Sequence, residues 1–238
     1  AFNSMVSGLE ERERLKLGFS RYVSQYALEK ILKMENPIHL EGERKKVTVM
    51  FTDIRGFTRM SENMQPEEVL KILNEYFSVM IEIIFLYGGT LDKFMGDGMM
   101  LEFGAPLEDQ FQELNAVKAA IHMHIELENL STKWENEGKK RLEMGIGIHT
   151  GLAVMGSIGS DLRMEYTAIG DAVNVTSRLE GISKTTCVPI IISETVYLKV
   201  KNSVRCKSCN KVKLHGRTEE VKIFSVDPFD NKSLINKK

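Results

Sequence analysis

An α+β fold is expected from this chain, and three observations carry that expectation. From Val47 onward, apolar runs rich in Val, Ile, Met and Phe alternate with two long amphipathic stretches, in the order strand, helix, strand, strand, helix, strand. The first amphipathic stretch has clear ends: Pro66 with Glu67 and Glu68 opens it, and Gly88-Gly89 stops it. The strands Thr90 to Met95 and Met99 to Phe103 are joined by Gly96-Asp97-Gly98, the composition of a tight turn. Such an order predicts a ferredoxin-like antiparallel sheet with helices on one face. In that topology the third strand lies between the first two and runs against the first, so its leading turn meets the C-terminal end of the first strand.

Composition narrows the class. At 238 residues and 42% hydrophobic content the chain is long enough for one sizeable domain with a short appendage. A formal charge of −1 gives no overall basic field for nucleic acid or an anionic membrane surface. The longest apolar run, IEIIFLY from Ile81 to Tyr87, is far short of a bilayer span, and AFNSMVSGLEERERLK has no signal-peptide core. Three cysteines, Cys187, Cys206 and Cys209, form no disulfide framework and point to a reducing compartment.

Taken in order, residues 1 to about 35 read as a helix rich in Glu and Arg, and Met34 to Lys46 as a linker with Asn36-Pro37 and Gly42. The division expected is 1–44 for an N-terminal helix and linker, 45–228 for the main domain and 229–238 for a polar tail. The strand Val47 to Ile54 opens the domain. In the helix from Pro66, Leu70, Leu73, Phe77, Met80 and Ile84 are the expected buried face. A second long helix runs from beyond Pro106 to Gly138. Its His122 and His124 are two apart, on different faces, and read as ordinary helix histidines rather than a metal pair. LEMGIGIHTGLAVMGSIG reads as two strands about a His149-Thr150-Gly151 turn, and DAVNVTSRLEGISK as a helix from Asp171. A strand, a short helix and a closing hairpin follow. Within the hairpin, Cys206 and Cys209 form a C-x-x-C pair with too few partners for zinc, so free thiols are expected.

The chemistry concentrates in two turns. Asp53 and Asp97 each end or follow an apolar strand, and the topology brings them side by side. Alone, each also reads as a turn former or cap. Together they repel unless a cation holds them, so a divalent metal such as Mg²⁺ or Mn²⁺ is expected, with the Ile54 carbonyl as a further ligand. Backbone N–H groups of Gly56, Phe57 and Thr58, opening the next helix, suit terminal phosphates. Asn174 and Arg178 are four apart on a predicted helix and share a face.

FTDIRGFT, KFMGDGMM, GIHTG and YTAIGDAVNVTSRLE, in that order over about residues 45 to 226, resemble the class III nucleotidyl cyclases. The resemblance implies that Asp53 and Asp97 hold two divalent cations, that Asn174 positions the ribose, and that Arg178 stabilises the α-phosphoryl transition state. It implies further that Lys93 and Thr167 read the base. A lysine donor suits the N1 acceptor of adenine, so ATP is the expected substrate and cyclic AMP the product, with guanylate cyclase as the alternative. Members of the family that form homodimers build composite sites from both chains.

Two departures leave a catalytically silent nucleotide-binding domain as another alternative. His215, with Arg217 nearby, stands where relatives often carry a triphosphate-binding lysine, and Gly145 where many have arginine. The first residues resemble the end of a HAMP signalling helix and its transducer. That likeness implies the cytoplasmic output end of a membrane receptor, with an upstream HAMP and transmembrane region and no nucleic-acid partner.

Overall fold

The computed structural model describes residues 42–160, 163–209, 212–213 and 220–235. The predicted N-terminal helix, His215 and Arg217 lie outside these residues. The described elements are β1 (Glu43–Ile54), α1 (Phe57–Ser61), α2 (Pro66–Leu86), β2 (Thr90–Met95), β3 (Gly98–Phe103), α3 (Gln112–Asn136), β4 (Met144–Ser160), β5 (Arg163–Ile169) and α4 (Asp171–Thr186). After them come β6 (Ile190–Ser193), α5 (Glu194–Val200), β7 (Cys206–Ser208), β8 (Val212–Lys213), β9 (Glu220–Val221) and β10 (Ile223–Val226), closed by a 3₁₀ turn at Lys232–Leu234.

The main sheet has the order β2-β3-β1-β4-β6-β10-β7, with β5 paired to β4 beside this path and β8-β9 apart from it. As predicted, β3 lies between β2 and β1 and is antiparallel to both. The parallel pairing of β4 with β6 is the exception in an otherwise antiparallel sheet.

Side-chain alternation divides β1 between two cores. Met50 and Ile54 face a large cluster with Tyr76, Met80 and Ile84 of α2, Ile121 and Trp134 of α3, and Val196 of α5. Val47, Val49 and Phe51 face the other side, with Met100, Ala153, Met155 and Ala168. The α+β class is as expected, but α4 packs on this second face through Val175 and Leu179, so the helices do not all lie on one side. The physical reason is a bare patch on β4. A Cβ at Gly147 would lie 2.3 Å from the Glu180 backbone nitrogen and 2.7 Å from the Thr176 carbonyl, so only glycine lets the helix lie this close.

Other expectations change where distant partners decide. The turn expected at His149-Thr150-Gly151 is instead the middle of a continuous 17-residue strand. All twelve residues of β1 pair with β4, and the Thr48 and Thr150 hydroxyls meet at 2.7 Å across it, so the ladder overrides the local turn composition. The same pairing extends β1 back to Glu43, ahead of the expected start at Val47. In α2 the buried stripe is Ile72, Tyr76, Met80, Ile83 and Ile84, and Leu70 is exposed because it lies about 200° around the helix from Ile72. The segment read as a polar tail packs as far as residue 235. Asn231 is buried, with its side chain bonded to both the N–H and the carbonyl of Arg205, and Leu234 and Ile235 touch the core. All three cysteines are free, and burial pushes the Cys206 thiol up to about 11. Among the described residues no helix is long and apolar enough to cross a membrane.

The two helix histidines are partly buried, each against its own neighbours. His122 lies edge-on to Tyr87 and 3.7 Å from Glu126. Nε2 of His124 lies 3.3 Å from the Pro189 carbonyl, and burial lowers its pKa to about 4. Below the ordinary value near 6.5 the unfolded chain takes up a proton that the folded protein refuses, so stability falls as pH drops toward 4. Replacing His124 by Gln should flatten this fall by about 3 kcal/mol between pH 7 and pH 4, measured by urea denaturation midpoints at each pH.

Candidate active site

The β1–β3 pairing sets one end of the site. Thr52 pairs with Met99, and the space where a Cβ of Gly98 would sit is 2.5 Å from the Thr52 carbonyl and 3.6 Å from Asp53 Oδ1. The hairpin turn carrying Asp97 is therefore pressed against the end of β1, beside Asp53 and Ile54. Burial and then the charge of Asp53 hold the Asp97 carboxyl above the usual carboxylate range, against the Ile54 N–H and the Lys184 charge. Lys184 Nζ lies 2.8 Å from Asp53 Oδ2, and this contact keeps its ammonium charged. Glu180, one turn earlier on α4, is pushed up to about 7, first by burial and then by Asp53, and its buried Oε1 has no hydrogen-bond partner.

These residues fit a hard cation. Two adjacent carboxylates and nearby backbone oxygens repel one another, and the positive charge now beside Asp53 is only a lysine at the surface. Among the described residues no three His, Cys, Asp or Glu side chains converge on one metal position. A two-carboxylate centre of this kind suits Mg²⁺ or Mn²⁺ carrying water and phosphate oxygens. Nearby, Gly56 with φ 67° turns the chain into α1. Phe57 is buried, so only its backbone can serve a ligand, whereas Thr58 is exposed.

Helix α4 has two working faces. Glu180 and Lys184 turn toward Asp53 of the same chain. Asn174 is exposed and Arg178 half-buried on another face, with Arg178 about 200° around the helix from Glu180. The helix is tethered at its C-terminal end by Arg55, whose guanidinium donates to the carbonyls of Ser183 at 3.1 Å and Val188 at 2.7 Å. Gly145 faces the same helix, where a Cβ would lie 2.8 Å from Ser183 Oγ. A long side chain at this position would need α4 to move.

Lys93 and Thr167 meet through residues that sequence reasoning missed. Thr167 Oγ1 donates to Asp92 Oδ2 at 2.5 Å, and Lys93 Nζ lies 3.4 Å from Asp92 Oδ1 and 3.0 Å from Glu165 Oε2. Behind them Glu102 is 1% exposed and accepts the Ala168 N–H at 3.0 Å. The available signal was a single glutamate in the apolar run GMMLEF. Surface cavities of about 320 Å³, beside Lys45 and Asp109, and about 180 Å³, beside Arg55 and His124, are not lined by Asp53, Asp97, Lys93 or Arg178.

A family model described as "Adenylate and Guanylate cyclase catalytic domain" matches residues 41–227, and the chain belongs to that family, the class III nucleotidyl cyclases. It is 37% identical over 183 residues to "Adenylate cyclase 1" of Rhizobium meliloti, covering 77% of this chain and 28% of that protein. It superposes on the crystal structure of the adenylyl cyclase CyaB from P. aeruginosa with a TM-score of 0.74 and 38% identity, over 79% of this chain and 96% of that one. For the guanylyl cyclase Cya2 the TM-score is 0.73 and the identity 39%, over 78% of this chain and 93% of that one. The chain spans less than half the length of the curated relatives it matches.

The seating of α4 governs where Glu180, Lys184, Asn174 and Arg178 point. Gly147→Ala forces a methyl group against two backbone atoms of that helix. It should destabilise the protein by about 2–3 kcal/mol, read as a lower denaturant midpoint at unchanged m-value.

Proposed function

We propose that this chain is the catalytic output end of a larger signalling protein, and that as a homodimer it converts ATP to 3′,5′-cyclic AMP and pyrophosphate. The observation that carries the reading is the division of one chain into two half-sites. Asp53 and Asp97 form one. Arg178 and Asn174, turned away from those aspartates on α4, would serve the other with Lys93 and Thr167. A two-fold axis would bring the first half of each chain to the second half of its partner and build two equivalent sites. The upstream part would be the HAMP and membrane-sensor region that the first residues resemble, with residues 1–44 transmitting its state and 45–228 doing the chemistry.

In each site Lys93 and Thr167 would hold adenine, and Asn174 the ribose, so that its 3′ oxygen lies in line with the α-phosphorus. The new bond joins the 3′ oxygen to that phosphorus, the bond to the pyrophosphate oxygen breaks, and the hydroxyl proton leaves to solvent. Arg178 would place its planar, permanently charged fork where charge gathers on the α-phosphoryl oxygens. Asp53, Asp97 and the Ile54 carbonyl would hold two Mg²⁺ or Mn²⁺ ions, whose chemistry is to acidify the 3′-OH and neutralise the triphosphate. Gly56, Phe57 and Thr58 would meet the terminal phosphates through their backbone, with Arg217 adding charge.

Relatedness does not choose the base, since an adenylyl and a guanylyl cyclase stand at nearly equal identity. Lys93 makes the choice for ATP, because it brings a donor where adenine has an acceptor and guanine an N–H.

With Mn²⁺ and ATP the purified protein should release cyclic AMP, and Asp97→Ala and Arg178→Ala should each lower kcat by about 10²–10³. An equimolar mixture of these two inactive variants should recover about a quarter of wild-type activity, because half the dimers are mixed and each has one intact site. No recovery, with mixed dimers demonstrated by tagged co-purification, refutes the composite site. Absence of product from the wild type would favour the silent domain.

A further inference from the structure

The base-reading pair rests on two buried acids. Strand β2 pairs Leu91 with Leu101 and then Lys93 with Met100, so Asp92 is an extra residue in a bulge. The bulge lets two consecutive side chains, Asp92 and Lys93, both reach β5, where strict alternation would separate them. The Asp92 side chain is 1% exposed, as is Glu102 on β3. Thr167 donates to Asp92, and the next residue, Ala168, donates its N–H to Glu102. In the sheet, β5 is hydrogen-bonded along its length to β4 alone. The acid pair therefore fastens the strand carrying Thr167 to the hairpin carrying Lys93.

Two buried carboxylates that interact favour the protonated form of one of them. Burial, then the charge of Asp92 and its hydrogen bond, keep Glu102 protonated well above the usual carboxylate range. A protonated Glu102 can donate to Asp92, and Lys93 Nζ lies 3.4 Å from Asp92 Oδ1.

We infer that Asp92, braced by Glu102, is a positioning residue that sets the direction of the Thr167 hydroxyl and thereby the preference for adenine. The inference rests on the cyclase reading above. Thr167 Oγ1 donates to Asp92 Oδ2, so its proton is committed there, and only the hydroxyl's lone pairs remain for a base. Adenine presents an amino donor at N6 beside an acceptor at N1, matching Thr167 as acceptor and Lys93 as donor. Guanine presents O6 as an acceptor and N1 as a donor, and meets both with the wrong polarity. A site that leaves a buried polar group unpaired against the wrong base discriminates strongly.

The test is steady-state kinetics with ATP and with GTP, under Mn²⁺, on the whole 238-residue chain. In Asp92→Asn the amide can donate as well as accept, so the hydroxyl is no longer committed. The ratio of kcat/KM for ATP over GTP should fall about tenfold or more, mainly through KM, with kcat for ATP changing less. Glu102→Gln reproduces the neutral acid, donating to Asp92 and accepting from Ala168, and should keep the wild-type ratio. Glu102→Met can do neither and should lose it. An unchanged ratio in folded Asp92→Asn, or equal ratios in the Gln and Met variants, overturns the inference while leaving the cyclase reading intact. If Asp92→Asn does not fold, the Glu102 pair decides. A wild type that turns over neither nucleotide overturns both.

Discussion

Two like charges held together at the end of a strand are the constraint on which the rest of the molecule depends. Pairing of β1 with β3 leaves the Asp97 turn no other place than beside Asp53, and the missing side chain at Gly98 lets the backbones touch. Every other charged group nearby answers that concentration of negative charge. Lys184 pairs with Asp53, Arg55 anchors α4 beneath the pair, and Glu180 holds its proton toward neutral pH. The fold thus stores an electrostatic cost at one spot, which divalent cations relieve better than a surface lysine can.

The second dependence is steric. Glycines on β4 leave a flat track for α4, and a helix lying that close has its rotation fixed by backbone contact rather than by adjustable side chains. Because its rotation is fixed, one face serves its own strand and the other looks outward. A helix free to roll would blur this division.

A similar use of buried charge occurs where β2, β3 and β5 meet, with a different solution. There Asp92 and Glu102 lie in the sheet, out of reach of solvent cations, and the repulsion is relieved by retaining a proton and by the neighbouring Lys93. Near the surface a pair of acids invites metal. In the interior it becomes a hydrogen-bond device that orients its neighbours.

Features carried by neighbouring residues were legible from the chain alone. The ends of α2, the β2–β3 hairpin, the meeting of Asp53 with Asp97 and the shared face of Asn174 and Arg178 all follow from periodicity, turn chemistry and strand order. Folding decided what depends on partners far away in sequence. β4 runs straight through His149-Thr150-Gly151 because β1, a hundred residues earlier, pairs with it from Met144 to Met155. Helix α4 lies on the second face because Gly147 accepts it there. Asp92 and Glu102 gain meaning only when β5 lies over them. A local pattern states what a segment prefers, whereas burial and polarity at a site are set by whatever packs against it.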